Sequence, residues 1–169
     1  MFQVTPRLTF MRLFADNRPR AYAKIEGGSK FPQIRGFARF YESPYGGTVI
    51  EMEVFGLPDD GTVRAPAFFA THIHEVGDCS DDFTKTGMHY NPLNQPHPRH
   101  AGDLPPLLSN QGYAWQTFYD SFLELYDLIG RSVIIHRNPD DFTTQPSGNS
   151  GDKIACGEIK FMDSTREQI

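Results

Sequence analysis

Only two cysteines occur among 169 residues, so a disulfide-stapled miniature fold is excluded; a chain of this length buries a sizeable core without such bridges. No apolar run approaches the roughly 20 residues of a helical membrane crossing. The opening "MFQVTPRLTFMRLFADNRPR" interrupts its apolar stretches with Pro6, Arg7, Arg12 and Asp16, which makes a poor signal peptide. No membrane partner is expected, and the expected location is cytoplasmic, with an extracytoplasmic one reached by another route as the alternative. Basic charge is also short: 16 Lys and Arg against 21 Asp and Glu leave a net charge of −5. Nucleic acid finds no general attraction on such a surface, and any anionic substrate must be drawn in locally. The HExxH zinc motif, the GxSxG elbow and the phosphate-binding P-loop are all missing.

Short alternating runs of apolar and polar residues fill much of the chain: 21–27, 34–42, 48–56, 67–75, 113–120, 131–136 and 153–161. They read as half-buried strands of one all-β domain, a sandwich or barrel. Gly27-Gly28, Pro44 with Gly46-Gly47, and "LPDDG" at 57–61 read as tight turns between antiparallel strands. Only "SFLELYDLIG" at 121–130 has helical spacing, enough for a short turn of helix in a connection. Two long segments, 76–111 and 137–152, show little regular pattern, and loops this long in a compact domain are usually functional.

All six histidines fall from residue 72 onward: His72, His74, His89, His97, His100 and His136. Residues i and i+2 of a strand share a face, so "HIH" projects two imidazoles side by side, either toward a metal or as two surface histidines. "HPRHAGD" offers His97, His100 and Asp103 at steps of three, as ligands or as a polar loop in which Asp103 caps a turn. His89 and His136 are weak alone. Suppose a zinc takes three histidines and Asp103, and a copper takes four histidines. Seven imidazole contacts are then needed from six rings, and one ring must bridge. Sequence chemistry leaves open which ring does so and whether the second metal is copper. The HxHxDH hydrolase pattern fails at Val76, and the cupin pattern fails at Asp78 and Cys79.

At these residues the chain resembles the copper/zinc superoxide dismutases, of bacterial type. "FPQIRGFARFYE", "HIHEVGDC", "GMHYNP", "HPRHAGDL" and "GRSVIIHRNPDDFTTQPSGNSGDKIACG" look like that family's segments in that family's order. The resemblance spans about 21–161. It implies an all-β, eight-stranded Greek-key barrel at 21–162 with two long functional loops, one metal-binding and one electrostatic. Residues 1–20 then form an N-terminal extension of unassigned role and 163–169 a C-terminal tail. Carried over residue by residue, copper is held by His72, His74, His89 and His136, and zinc by His89, His97, His100 and Asp103. Asp140 is the carboxylate behind the ligands, and Cys79 pairs with Cys156. The implied activity is dismutation of superoxide to oxygen and hydrogen peroxide, with His89 and Lys153 in the catalytic roles, by a monomer or homodimer. The alternative is a protein that sequesters copper and zinc with little or no turnover. Three departures stand out: Lys153 where the family usually has arginine, Ala70-Thr71 in place of Gly-Phe, and a shortened stretch between His97 and His100. Lys85 and Arg137 lie close enough in sequence to assist Lys153 or to be ordinary surface charges.

Overall fold

A computed structural model of the chain describes residues 6–16, 18–59 and 67–162. A helix, α1 (Pro6–Ala15), precedes eight strands: β1 (Ala21–Gly27), β2 (Arg35–Glu42), β3 (Thr48–Phe55), β4 (Ala67–His74), β5 (Asp103–Ser109), β6 (Tyr113–Asp120), β7 (Ser132–His136) and β8 (Lys153–Phe161). A 3₁₀ turn (Asp81–Thr86) follows β4, and one turn of helix, α2 (Leu125–Leu128), precedes β7. The strands form one antiparallel sheet in the order β5-β4-β7-β8-β1-β2-β3-β6. β1 to β3 are neighbours in sequence, whereas β4 lies across the barrel from β3 beside β7, which makes a Greek-key path. The segment from residue 57 is therefore a crossover and not a hairpin turn; of "LPDDG", Asp60 and Gly61 lie outside the described residues.

Alternation carries this architecture. In β1, Ala21, Ala23 and Ile25 are buried while Lys24 and Glu26 face out, and β3 buries Ile50, Met52 and Val54 between Glu51 and Glu53. The inward sets join Phe40, Phe69, Ile73, Leu107, Val133, Ile135 and Ile159 in one core. The seven expected strands form within a residue or so of their sequence bounds.

The eighth, β5, lies inside the segment read from sequence as irregular. Its "DLPPLLS" contains Pro105 and Pro106, which cannot donate to a ladder and so argue against a strand. It forms because it occupies one end of the strand order. Its carbonyls still accept, and two neighbouring side chains use one of them: Thr71 Oγ1 in β4 donates to the Pro105 carbonyl at 2.8 Å and Gln116 Nε2 in β6 donates to the same oxygen at 3.1 Å. The second of these draws the two end strands together and nearly closes the barrel. The Ala70-Thr71 departure therefore sits in the barrel wall, with Thr71 as a fastener of the edge strand.

Helix α1 covers part of the expected extension, and the sequence pattern did not indicate it. It lies on the barrel through aromatic contacts: Phe10 packs on Tyr45 and Tyr119, and Phe14 meets Tyr41 edge-on at 5.1 Å. Cys79 and Cys156 form a disulfide that ties the loop after β4 to β8. Enclosing a loop this long stabilises the fold by about 4 kcal/mol in the chain-entropy picture.

Thr71→Val keeps the shape of this buried side chain and removes its hydroxyl. Because Gln116 still serves the Pro105 carbonyl, no acceptor is orphaned, and the cost is that of one hydrogen bond, about 1 kcal/mol. Urea unfolding of the metal-free, disulfide-intact protein should show a lower midpoint with an unchanged slope.

Candidate metal centre

The candidate ligands meet on the outer face of the barrel wall: β4 and β7 run antiparallel with His72 opposite Ile134, and the residues alternating with the histidines, Ile73, Val133 and Ile135, fill the core. His72 and His74 close β4, His136 closes β7, Asp103 opens β5 and Lys153 opens β8. His72 is the cross-strand partner of Asp103, and His136 that of Lys153. The loop between β4 and β5 returns through a single bridge, His74 to His89. Further along the same loop, hydrogen bonds from Tyr90 to Ile73 and from Ile73 to Gly102 lash it to β4.

Two groups of side chains result, each with its ligand-type atoms within 4.8 Å of one another: His72, His74, His89 and His136, and His89, His97, His100 and Asp103. Every candidate ligand drawn from the sequence is in one of them, and His89 is in both. His72, His74, His89, His97 and His136 are buried. Within the first group, His74 Nε2 and His136 Nε2 are 3.3 Å apart. Within the second, His89 Nδ1 lies 3.3 Å from His100 Nδ1 and 2.8 Å from Asp103 Oδ1. A tetrahedron of about 2.0 Å metal–nitrogen bonds has edges of about 3.3 Å, so the second spacing suits zinc.

The far side of four rings is fixed. His74 Nδ1 meets the Gly87 carbonyl at 2.9 Å and His136 Nδ1 the Gly151 carbonyl at 3.1 Å. Asp140 bridges two others, with Oδ2 2.8 Å from His72 Nε2 and Oδ1 2.9 Å from His97 Nε2. These contacts leave the opposite nitrogens free to face a metal. Accordingly His72 Nδ1, His89 Nε2 and His97 Nδ1 are buried without a hydrogen-bond partner. Buried polar atoms normally find partners, so three orphans at one site fit absent metal ions.

Electrostatics agree with that fit. Burial, reinforced by the neighbouring rings, lowers His72 and His74 to about 2, and burial chiefly lowers His136 to about 4, so these imidazoles are neutral and available as ligands. Burial works to raise the Asp103 carboxyl, but hydrogen bonds from His89 and the His100 amide outweigh it and hold it below the usual range.

Several features had no signal in the sequence. Gln145 clasps the His97 backbone, accepting from its N–H at 3.0 Å and donating to its carbonyl at 2.7 Å. Asp103 Oδ2 accepts from the His100 amide at 2.9 Å. Between them these bonds fix the shortened 97–100 stretch. Gly148, at φ +64°, lies so close to Asp140 that a Cβ there would stand 1.9 Å from Oδ1 and 2.7 Å from His97 Nε2. Lys153 Nζ donates to Thr86 Oγ1 at 2.8 Å and to the carbonyls of Phe83 and Gly87, both at 3.3 Å, and burial lowers its pKa. Lys85 is instead paired with Asp81 at 2.8 Å, and Arg137 lines a separate cleft with Gln33, Leu57, Phe68 and Gln111.

Comparison with known proteins agrees with this geometry. The family model described as copper/zinc superoxide dismutase (SODC) matches residues 34–159. "Superoxide dismutase [Cu-Zn] 3" of Arabidopsis thaliana is 33% identical over 166 residues, covering 89% of this chain and 95% of that protein. Among solved structures, the clock protein EA4 is similar with a TM-score of 0.73 and 30% identity, over 85% of this chain and 94% of that one. A SOD-like protein from Bacillus subtilis is similar with a TM-score of 0.67 and 32% identity, over 80% of this chain and 95% of that one. With two side-chain groups able to hold a metal on the expected barrel, the chain belongs to the copper/zinc superoxide dismutase family of oxidoreductases, with copper and zinc as its cofactors.

Proposed function

We propose that the chain dismutes superoxide at a copper held by His72, His74, His89 and His136, with His89 shared with a zinc held also by His97, His100 and Asp103. The observation that carries this reading is the position of His89: its Nε2 is buried without a partner in one group, while its Nδ1 lies among the ligand atoms of the other. Residues 21–162 are the catalytic domain in this reading, and residues 1–20 an extension whose helix α1 packs on it through Phe10 and Phe14.

Bound copper supplies one-electron chemistry between its two oxidation states, and zinc supplies a fixed positive charge. The chain's own residues do the rest. Two superoxide anions and two protons become one oxygen and one hydrogen peroxide, so a proton source is needed beside the substrate. His89 Nε2 can take that role, since no carbonyl or carboxylate of the protein claims it. Asp140 fixes the ring planes of His72 and His97 together. Lys153 stands beside His136 as a cation in a protein of net charge −5, and draws in the anion. A second reading, metal sequestration with little turnover, has one observation on its side: the Lys153 ammonium is already bonded to the protein. Decay of pulse-generated superoxide decides between them. The fully metallated protein should accelerate it, and decay no faster than in buffer leaves sequestration.

His89→Ala should reduce both copper and zinc content, as read by elemental analysis of protein purified with both supplied. Loss of one metal alone defeats the shared-ring assignment.

Asp140→Asn turns one acceptor oxygen into a donor and leaves either His72 or His97 without its orienting partner. Zinc affinity should fall by about 10–100-fold in competition with a chelator, although Asp140 is in neither ligand group.

Lys153→Glu should nearly abolish turnover with both metals retained. Lys153→Arg should raise the second-order rate by a small factor, about 1 kcal/mol or less in barrier, because a guanidinium has donors to spare for the anion after bonding the same acceptors. In both forms bearing a cation, the rate should fall as salt brings the Debye length to about 10 Å and below.

A further inference from the structure

Lys153 is held by one segment only. All three of its acceptors, Phe83 O, Thr86 Oγ1 and Gly87 O, lie between residues 83 and 87, and an ammonium has three N–H groups to give. The shortest of the three bonds, at 2.8 Å, goes to Thr86, a hydroxyl with no solvent exposure. That hydroxyl spends its own proton on the Phe83 carbonyl at 2.9 Å, so its lone pairs are the part presented to Lys153.

The cradle is itself rigid. Asp82 and Phe83 take left-handed backbone angles (φ 47°, ψ 42° and φ 71°, ψ 14°), a conformation that side-chain-bearing residues avoid unless held. Both the backbone amide and the hydroxyl of Ser29 bond the Asp82 carboxylate, and the Phe83 ring is buried with Ile134 and Cys156 beside the disulfide. The Gly87 carbonyl is shared, since it also meets His74 Nδ1 at 2.9 Å. Lys153 and a proposed copper ligand thus lean on one oxygen.

We propose that Thr86 is a positioning residue for Lys153: with the carbonyls of Phe83 and Gly87 it engages all three ammonium protons. Lys153 then acts on superoxide as a fixed charge and not as a hydrogen-bond donor. This rests on the dismutase reading for its consequence but not for its geometry. Charge attraction survives in this arrangement, while short-range orientation of the anion is surrendered.

The test is proton exchange at the Lys153 ammonium, followed by nitrogen-15 NMR in the full-length protein. It is measured metal-free and again loaded with zinc and ascorbate-reduced copper, both closed-shell. Wild type should give a slowly exchanging Lys153 resonance. Thr86→Val, nearly isosteric but without the acceptor, should speed exchange by about tenfold or erase the signal, as loss of a charge-assisted hydrogen bond implies. Thr86→Ser should restore it, and Thr86→Ala carries the same test should the valine form not fold. Unchanged exchange in the folded valine or alanine variant overturns the proposal. The dismutation rate gives a second readout: its salt dependence should be the same in wild type and Thr86→Val, since the charge stays. On a Lys153→Met background, Thr86→Val should change the rate no further. An equal loss on both backgrounds overturns the proposal, because Thr86 would then act through the fold. Intact exchange behaviour in a protein that consumes no superoxide sinks the dismutase reading and leaves the positioning role standing.

Discussion

The Asp140 carboxylate stands between two histidines from distant parts of the chain, one at the end of β4 and the other in the loop that leads to β5. It is buried, and it also accepts a bond from the Phe142 amide at 2.7 Å. With both oxygens occupied, neither ring can turn without breaking a charge-assisted bond in a dry environment, where such a bond is strong. Fixing the outer nitrogens of His72 and His97 aims their inner nitrogens, and those are two of the three orphaned atoms of the site. Gly148 closes over this bridge so tightly that a methyl group has no room. The two candidate ligand groups are therefore parts of one construction, with a carboxylate as its keystone on one side and the His89 ring, common to both, on the other.

The barrel supplies what that construction needs, which is a run of paired strands that presents side chains on one outer face. β4, β7 and β8 are adjacent, so His72, His74, His136 and Lys153 are set at fixed ladder spacings before any loop is considered. The loops then have to be brought back to this face. The β4–β5 connection is tied in its first half by the disulfide and the Phe83 ring and in its second by the backbone bonds around Ile73, and the segment 137–152 is tied by Asp140 and Gln145. Long loops cost more order than short ones, and each tie offsets part of that cost.

How much of this could be read in the chain depended on whether the determining contacts are local. Period-two alternation is local, and it placed seven strands; the i, i+2 histidines follow from the same rule. The number of rings required one to bridge, but only the resemblance named His89, and the geometry puts His89 in both groups. β5 was hidden because Pro105 and Pro106 oppose a strand locally, and only its edge position with Thr71 and Gln116 makes it one. Helix α1 was hidden because what holds it is an aromatic seat on Tyr41, Tyr45 and Tyr119, far away in sequence. Gln145, Gly148 and Thr86 act on partners 48, 8 and 67 positions away, and nothing in their own neighbourhoods marks them.

Each departure of this chain from the family pattern has a local answer in the structure. Thr71, standing where an aromatic is usual, uses its hydroxyl to bond the edge strand at Pro105, where two prolines offer no N–H to the ladder. The shortened step from His97 to His100 leaves no slack, and Gln145 supplies from outside the backbone pairing that a longer loop could find within itself. Lysine in the arginine position brings a compact ammonium, strongly hydrated when exposed, and the Phe83–Gly87 segment offers three oxygens in place of water. The first two substitutions concern the scaffold, and their partners restore what was lost. The third, in the proposed dismutase, changes what the site presents to its substrate, because an ammonium with all three protons engaged offers field without direction. In that reading a superoxide ion reaching the site is attracted as strongly as the charge allows and oriented by whatever else it meets there, the His89 nitrogen, which no protein group claims, among them.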